Sequence, residues 1–276
     1  MQESNSNTII FTDLDGTLLD HHDYNYAAVV PVLKELDRLE IPVIFNTSKT
    51  RAEIISLREE IGNKHPFIVE NGSGIFIPTN YFSALESAPD TFDAICLGAE
   101  RKILIDWLDT NAVNLKHAYS SFNTMSIDEI VSLTGLSVES AKLAATREFS
   151  EPLHWTGTSE ELKIFTQRAK ESGLTLLVGG RFVHLLGKTN KGIATKRLVD
   201  EYQKHDEKNN DAEKNYTIIA CGDGKNDIDM LEAADIAVIV KSPANAPPTV
   251  NNGQQLTTEL YGPEGWAKAI TQIFNL

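Results

Sequence analysis

The first third of the chain alternates short apolar runs with segments whose apolar residues have helical spacing. Residues 8–11, 42–45 and 67–69 read as strands, and residues 27–39 and 51–61 read as helices. Strands that are joined through helices form right-handed crossover units, which set the strands side by side in a parallel sheet. We therefore predict a parallel sheet that helices bury on both faces.

The last third of the chain shows the same alternation. The predicted elements are, in order, a helix at 191–202, a strand at 216–221, a helix at 227–234, a strand at 236–240 and a helix at 265–274. Because the pattern resumes after an interruption, both ends of the chain are expected to build one doubly wound, Rossmann-like α/β core.

In the middle of the chain, the predicted strands and helices do not alternate regularly. Strands are predicted at 92–97, 116–119 and around 152–155, helices at 100–108, 126–135, 137–146 and 159–171, and a hairpin at 174–186 that turns at Gly179-Gly180. This pattern indicates an α+β domain inserted into the core. We assign residues 85–186 to the inserted domain, and residues 1–84 and 187–276 to the core.

Composition and charge narrow the classes of partner. The 276 residues are 41% hydrophobic and 23% charged, as in ordinary soluble globular proteins. The formal net charge of −14 argues against nucleic acid, which needs a basic surface, and leaves room for an anionic small molecule only where Lys and Arg gather locally. No apolar run approaches the roughly 18–20 residues that span a bilayer. The opening segment MQESNSNTIIFTD shows no signal-peptide pattern.

The cysteine content predicts the compartment. Cys96 and Cys221 are the two cysteines of the sequence, and they lie far apart with no CxxC spacing. This argues against a disulfide framework and against a zinc site. We expect a protein of the reducing cytoplasm, without a membrane partner.

The segment FTDLDGTLLD places Asp13 and Asp15 at the end of the first predicted strand. Ligands of open parallel sheets bind at the carboxyl ends of the strands. Two carboxylates at this spacing can face a magnesium ion, which prefers oxygen ligands. Asp13 could then attack phosphorus, and Asp15 could exchange a proton with the leaving oxygen and with water. An Asp-Gly turn with a helix cap explains the same residues without any ligand.

Two further residues fall at the ends of predicted elements. Thr47 follows the second strand and offers a hydroxyl group to a phosphate oxygen, although a β-branched residue that merely ends a strand has the same pattern. Lys191 opens a helix, where its ammonium and the helix dipole both favour an anion. Lys188 is a rival for this role, and a solvated surface Lys-Gly pair is the alternative.

The segment GDGKND at 222–227 adds Asp223 and Asp227 after another predicted strand. Together with Asp13 and Asp15 these residues would make a cluster of four acids, which is sensible only around a cation. The alternative is a polar loop in which Asp227 caps the following helix.

The order of these motifs resembles the haloacid dehalogenase superfamily of phosphoryl-transfer enzymes. The shared motifs are D-x-D-G-T, a threonine, a Lys-Gly pair and G-D-x-x-N-D, and the insertion between the second and third resembles the branch with a large α/β cap. Shorter strings are similar to mannosyl-3-phosphoglycerate phosphatases, among them TSKT at 47–50, VENG at 69–72 and GGRFVH at 179–184. The resemblance spans almost the entire chain.

The resemblance implies a role for each motif. Asp13 would be the nucleophile and Asp15 the general acid and base. A Mg²⁺ cofactor would be held by the Asp13 carboxylate, the Asp15 backbone carbonyl and Asp223, with Asp227 supporting or ligating. Thr47, Lys191 and Asn226 would position the phosphoryl group, and the Lys-Gly position favours Lys191 over Lys188. The residues expected to contact the glycerate carboxylate and the sugar are Lys49, Asn71, Arg147 and Arg181.

The implied function is a cytoplasmic, Mg²⁺-dependent phosphatase with a small phosphorylated sugar-glycerate as its partner. It would hydrolyse 2-O-mannosyl-3-phosphoglycerate to mannosylglycerate, a compatible solute, through an aspartyl-phosphate. Within this class the alternatives are a glucosyl-3-phosphoglycerate phosphatase and a generalist sugar phosphatase. Outside it they are a phosphotransferase like the phosphomannomutases and a non-catalytic sugar-phosphate binder.

Overall fold

The computed structural model of the protein describes residues 7–83, 91–179, 181–208 and 215–276. Its strands are β1 (Thr8–Thr12), β2 (Val43–Asn46), β3 (Phe67–Val69), β4 (Gly74–Pro78), β5 (Phe92–Cys96), β6 (Tyr119–Ser121), β7 (Ser150–Trp155), β8 (Leu174–Val178), β9 (Val183–Gly187), β10 (Thr217–Gly222), β11 (Ile236–Lys241) and β12 (Gln255–Tyr261). Its α-helices are α1 (Val30–Arg38), α2 (Arg51–Ile61), α3 (Arg101–Asn111), α4 (Ile127–Thr134), α5 (Val138–Ala145), α6 (Ser159–Glu171), α7 (Lys191–Lys208), α8 (Ile228–Ala233) and α9 (Gly262–Phe274).

The large sheet has the strand order β12-β11-β10-β1-β2-β3-β4-β5. Strands β12 to β3 run parallel, and β4 and β5 continue the sheet in antiparallel pairing. The predicted doubly wound α/β core is confirmed. The two antiparallel strands lie at one edge, where such exceptions are common in doubly wound folds.

Helices cover both faces of the large sheet because its central strands are apolar on both sides. Ile10 of β1 packs in one cluster with residues of α1, α2 and α9, whereas Ile9 and Phe11 pack in another with residues of α7 and α8. These three side chains are completely buried, and each such burial contributes about 1.5–3 kcal/mol to folding. Within the described ranges, no helix has the length and continuous hydrophobicity that a bilayer crossing requires.

A smaller antiparallel sheet, of order β6-β7-β9-β8, forms the cap together with α3, α4, α5 and α6. Trp107 of α3 and Phe165 of α6 pack against one face of this sheet, on Leu153 and Leu185. Helix α6 begins where it was predicted, because Thr158 and Glu161 form a capping box that satisfies the first N–H groups of the helix.

The structure differs from the prediction in the region where the cap begins. Residues 92–96 were placed in the inserted domain, but β5 pairs with β4 and belongs to the large sheet. The predicted boundary at 84/85 lies outside the described residues, so the division into domains stays a prediction. The predicted strand at 116–119 is wrong, because Val113–Ala118 is a 3-10 helix. Its buried residues, Leu115 and Ala118, are three apart, as that helix requires.

Candidate active site

The carboxyl ends of β1, β2 and β10 meet at one edge of the large sheet because these strands are parallel neighbours. Asp13 directly follows β1, and its backbone N–H donates to the Cys221 carbonyl of β10 (2.9 Å). Thr47 follows β2, and Asp223 follows β10. Motifs from distant parts of the sequence thus converge where open α/β sheets bind ligands.

Three buried aspartates form a cluster at this edge around the ammonium group of Lys191. Lys191 Nζ lies 2.6 Å from Asp13 Oδ1 and 2.6 Å from Asp227 Oδ1, and the lysine is completely buried. Asp223 completes the cluster, since one carboxylate oxygen from each aspartate lies within 4.8 Å of the other two. Lys191 is the first residue of α7, and the start of this helix places its ammonium group beside the carboxylates.

Burial makes this carboxylate cluster electrostatically unfavourable on its own. Burial and then repulsion from Asp227 raise the pKa of the Asp13 carboxyl, against the attraction of Lys191. Burial and Asp227 also raise the pKa of Asp223. Burial lowers the pKa of Lys191, but attraction to Asp13 and Asp227 outweighs it, so the pKa is raised and the lysine stays charged.

The carboxylate cluster fits a divalent cation. When all three acids are ionised, three carboxylates face one ammonium, and two negative charges are left uncompensated in a buried place. Hard cations such as Mg²⁺ bind carboxylate oxygens, and a bound cation removes the repulsion that makes the cluster unfavourable.

The loop after β10 fixes Asp227 within the cluster. Asp227 Oδ2 accepts hydrogen bonds from the backbone N–H groups of Asp223 (3.1 Å) and Gly224 (2.9 Å). A Cβ at Gly222 would lie 2.5 Å from the Cβ of Asp227, so glycine is needed for this close approach. Within the described part of the chain, Asp227 makes no side-chain capping bond to α8, and the alternative of a simple helix cap is not what the structure shows.

The Asp15 carboxylate lies outside the carboxylate cluster and pairs with Lys49. Lys49 Nζ is 2.9 Å from Asp15 Oδ1 and 3.8 Å from Glu53 Oε1. It also lies 4.8 Å from the ring centroid of Tyr24, at cation–π distance. Burial lowers the pKa of Lys49, but Asp15 and Glu53 raise it by more. Lys49, predicted as a substrate contact, is thus a charged residue beside the second aspartate of the motif.

Asn71 and Asn226 meet each other near Lys191. Asn226 Nδ2 lies 3.4 Å from Asn71 Oδ1, to which it donates. Asn71 is only 2% exposed, and its Nδ2 group has no hydrogen-bond partner among the described residues. A buried amide group without a partner is uncommon in folded proteins. The site therefore contains a buried hydrogen-bond donor that a ligand could satisfy.

A cleft of about 250 Å³ lies between the cap and the part of the core around the start of α7. Its lining joins core residues, among them Asn71, Lys191 and Asn226, with the cap residues Thr175, Leu177 and Leu186. Another cleft, of about 180 Å³, lies beside α1 and α2 and touches Val43, at the opposite end of β2. Of these two clefts, the first is the one lined by residues of the site, namely Asn71, Lys191 and Asn226.

The two predicted arginines of the cap donate to backbone carbonyl groups. Arg147 is buried, and its Nη2 donates to the Ser48 carbonyl (2.7 Å). Arg181 is exposed and donates to the carbonyls of Leu133 and Thr134. Burial and Asp15 raise the pKa of Tyr24, and the charge of Arg181 acts in the opposite direction. Arg147 thus contacts the loop at 47–49, while Arg181 lies within electrostatic reach of Tyr24.

Sequence reasoning missed Asn245. This residue follows β11, and its Nδ2 donates to Asp223 Oδ2 (2.9 Å). The strand at 236–240 was predicted, so the rule that ligand sites lie at the carboxyl ends of parallel strands would have pointed to this loop as well.

Substitution of Gly16 tests whether the close approach of the D-x-D-G-T turn to Asp223 matters for activity. Gly16 has φ +80, and a Cβ there would lie 2.8 Å from Asp223 Oδ2. We expect Gly16→Ala to displace Asp223 and to lower the kcat of the enzyme by at least about tenfold. The strained backbone adds about 1–2 kcal/mol of destabilisation.

Gly62→Ala is the matched control, because Gly62 has φ +78 but nothing within 4 Å of a Cβ. It should show the same kind of destabilisation in denaturant unfolding with unchanged kcat. Equal kcat values for the two variants would show that the contact with Asp223 does not matter.

Comparison with known proteins defines the class. The sequence model of the haloacid dehalogenase-like hydrolases matches residues 10–270, and the chain belongs to that family. Two relatives are each named glucosyl-3-phosphoglycerate/mannosyl-3-phosphoglycerate phosphatase. The protein of Persephonella marina is 33% identical over 270 residues and that of Methanococcoides burtonii 35% identical over 271, with 97% of both chains covered in each comparison. The protein is a phosphoric monoester hydrolase.

Solved structures share the fold at lower sequence identity. The sucrose-phosphatase of Synechocystis sp. PCC6803, solved with sucrose and phosphate, matches with a TM-score of 0.60 and 17% identity over 98% of both chains. A phosphatase of the same superfamily from Bacteroides thetaiotaomicron matches with a TM-score of 0.63 and 15% identity over 100% of this chain and 97% of the other. These similarities confirm the α/β core with its cap.

Proposed function

We propose that the protein hydrolyses the phosphate ester of a glycosyl-3-phosphoglycerate. The proposed substrate is 2-O-mannosyl-3-phosphoglycerate, and the products are mannosylglycerate and phosphate. The observation that carries this proposal is the buried carboxylate cluster around Lys191, beside a cleft whose other wall belongs to the cap. The names of the two relatives support the substrate class.

Asp13 is the proposed nucleophile. A carboxylate oxygen of Asp13 attacks phosphorus, the bond from phosphorus to the ester oxygen breaks, and an aspartyl-phosphate forms. Lys191, 2.6 Å from Asp13 Oδ1, orients the carboxylate and presents a positive charge to the phosphoryl oxygens. Water then attacks phosphorus, which releases phosphate and regenerates Asp13.

Asp15 is the proposed proton shuttle. It gives a proton to the ester oxygen as the alcohol leaves, and it takes a proton from the attacking water. The ion pair with Lys49, at 2.9 Å, supports this role because it holds the carboxylate at a defined place next to the nucleophile's strand end.

Mg²⁺ is the proposed cofactor. Asp13, Asp223 and Asp227 would hold it together with the backbone carbonyl of Asp15. When bound, it supplies positive charge that offsets the carboxylates and the phosphoryl oxygens.

The other proposed contacts divide between the phosphoryl group and the rest of the substrate. Thr47 and Asn226 are proposed for the phosphoryl oxygens, and the proposed contacts for the glycerate and the sugar are Lys49, Asn71, Arg147 and Arg181. Asn71 has the clearest support, because its buried Nδ2 lacks a partner among the described residues. Arg147 has the weakest, because its guanidinium is already bonded to Ser48 and Ser150.

Glucosyl-3-phosphoglycerate is the second candidate substrate, since the names of both relatives couple the glucosyl and mannosyl compounds. The two sugars differ in the configuration of one hydroxyl group. Discrimination between them requires a hydrogen bond from the site to that hydroxyl.

Phosphate release with Mg²⁺ tests the proposed function. We expect kcat/KM for mannosyl-3-phosphoglycerate to exceed that for mannose 6-phosphate and glucose 6-phosphate by at least about 100-fold, because the glycerate carboxylate adds a charged contact. Glucosyl-3-phosphoglycerate in the same assay decides between the two candidates. EDTA should abolish turnover, and added Mg²⁺ should restore it. Faster turnover of hexose phosphates would make the protein a generalist, and transfer of the phosphoryl group to sugar would make it a phosphotransferase.

A further inference from the structure

The segment Glu70–Gly72 follows β3 with three consecutive residues in the left-handed region. Their φ angles are 50 for Glu70, 58 for Asn71 and 90 for Gly72. A non-glycine residue in this region costs about 1–2 kcal/mol. Such strain persists only where the surroundings enforce it, and it concentrates at functional sites. Contacts from the surrounding structure are therefore expected to hold Glu70 and Asn71 in this conformation.

The Glu70 side chain is held by the cap. It is completely buried, and its carboxylate accepts hydrogen bonds from the backbone N–H of Glu148 (2.8 Å), the backbone N–H of Phe149 (3.2 Å) and the hydroxyl of Ser150 (2.5 Å). Arg147 Nε lies 3.4 Å from the same carboxylate. The three hydrogen-bond donors and Arg147 all come from the stretch that leads from α5 into β7, so one core carboxylate anchors the entry to the central strands of the cap.

The backbone of the same segment is bonded to the loop at 47–49. The hydrogen bonds run from Glu70 N–H to the Lys49 carbonyl (3.0 Å), from Asn71 N–H to the Thr47 carbonyl (2.9 Å) and from Arg147 Nη2 to the Ser48 carbonyl (2.7 Å). This loop carries Thr47 and the lysine that pairs with Asp15. Glu70 thus stands between the cap and two elements of the site.

The end of the segment approaches the residues next to Lys191. The Thr189 hydroxyl donates to the Gly72 carbonyl (2.8 Å). A Cβ at Gly72 would lie 2.2 Å from the Asn190 carbonyl oxygen, so glycine is needed for this approach. A shift of the segment would consequently move Asn71 and disturb the start of α7 together.

We propose that Glu70 is a positioning residue, which fixes Thr47 in its proposed phosphoryl-binding place, and Asn71 beside it, by tying the loop at 47–49 and the segment Glu70–Gly72 to the cap. This inference rests on the proposed function, which assigns Thr47 to the phosphoryl oxygens and Asn71 to the rest of the substrate. The carboxylate accepts three hydrogen bonds and also pairs with the Arg147 guanidinium, and an uncharged side chain cannot do both. Weakening this anchor frees the cap entry, lets the strained segment relax and displaces the loop that is bonded to it.

The binding of inorganic phosphate, with Mg²⁺ and measured by calorimetry, separates positioning from general stability. Phosphate occupies only the proposed phosphoryl site, so its affinity reports on that site without requiring contact with the cap. We expect Glu70→Gln to raise the Kd for phosphate by at least about tenfold, as losses of supporting partners do elsewhere. The same variant should lower kcat for mannosyl-3-phosphoglycerate more than it changes KM.

Glu151→Gln is the matched control. Glu151 is also completely buried, and it accepts from Arg101 Nε (2.6 Å) and from the backbone N–H of Asn123 (2.7 Å), all within the cap. It should lose stability in the same way and keep its Kd for phosphate within about threefold of the wild-type value. Equal phosphate affinities in the Glu70→Gln and Glu151→Gln variants would overturn the inference.

If Glu70→Gln does not fold, Arg147→Lys tests the proposed positioning role instead. It retains a cation beside Glu70 but lacks the planar fork that reaches the Ser48 carbonyl. A Kd for phosphate raised at least about fivefold supports positioning, and an unchanged Kd contradicts it. A wild-type protein that neither binds phosphate nor releases it would refute the proposed function, and this inference with it.

Discussion

If Asp13 is the nucleophile, as proposed, Asp13→Asn is expected to lower kcat for phosphate release by at least about 10³-fold, which is the scale on which loss of a nucleophile acts. The amide has the shape of the carboxylate but lacks its charge, so it cannot form the aspartyl-phosphate. Asp13 also supplies one of the three oxygens of the carboxylate cluster. The measurement is phosphate release from mannosyl-3-phosphoglycerate at saturating substrate and Mg²⁺.

The same substitution should leave the fold intact. Lys191 still pairs with Asp227 at 2.6 Å, and one of the three crowded negative charges disappears. We therefore expect the free energy of unfolding without Mg²⁺ to stay within about 1 kcal/mol of the wild-type value. Asp109→Asn, on an exposed acid of the cap, controls for the change in net charge and should retain full activity. Turnover by the Asp13→Asn variant near the wild-type rate would rule out the nucleophilic mechanism.

The sequence was most informative where a single local pattern decides the structure. Strand β3 and the helices α2 and α6 have the predicted bounds, and both helices begin with a capping box that the sequence displays. The convergence of Asp13, Lys191 and Asp227 was also predictable, because each follows a strand or opens a helix in a parallel sheet, whose geometry brings those ends together.

Other features depend on contacts that no local pattern records. Strand β12 was not predicted, because QLTTELY is mostly exposed at the edge of the sheet and offers no apolar run. Strand β4, GIFIP, begins with glycine and ends with proline, which favour turns. The three hydrogen-bond donors to Glu70 come from residues 78 to 80 positions away, and the Asp15–Lys49 pair requires knowing which way two neighbouring loops face. Such pairings follow from the folded chain as a whole.

Lys191→Met is expected to damage both stability and activity. It leaves the buried carboxylates of Asp13 and Asp227 without their ammonium partner, and both remain close to the carboxylate of Asp223. Removing one member of a buried ion pair costs about 3–5 kcal/mol, because the remaining charge stays desolvated. We expect a loss of that size in denaturant unfolding without Mg²⁺. We also expect a fall in kcat of about 10²–10³-fold, since the charge proposed to stabilise the transferring group is gone.

The contribution of Lys191 to stability should depend on pH. The pKa of Lys191 is raised in the folded protein, so its contribution is fully present at neutral pH and is lost only as the pH rises through that raised value. The loss in the Lys191→Met variant should therefore be complete at pH 7.

Lys188→Met, on the exposed lysine that rivals Lys191 in the sequence, should change stability by less than about 0.5 kcal/mol. Similar losses in the two variants would contradict the assignment of Lys191.

A second substitution shows whether charge or packing causes the loss in the Lys191→Met variant. Asp227→Asn removes one of the unpaired carboxylates, and its amide oxygen can still accept from the N–H groups of Asp223 and Gly224. If uncompensated charge is the cause, adding Asp227→Asn to Lys191→Met should recover at least about 1 kcal/mol of stability, an interaction typical of residues in direct contact. If the lost methylene packing of the lysine is the cause, the second substitution lowers stability further. Recovery of stability without recovery of kcat is the combined result that the carboxylate cluster predicts.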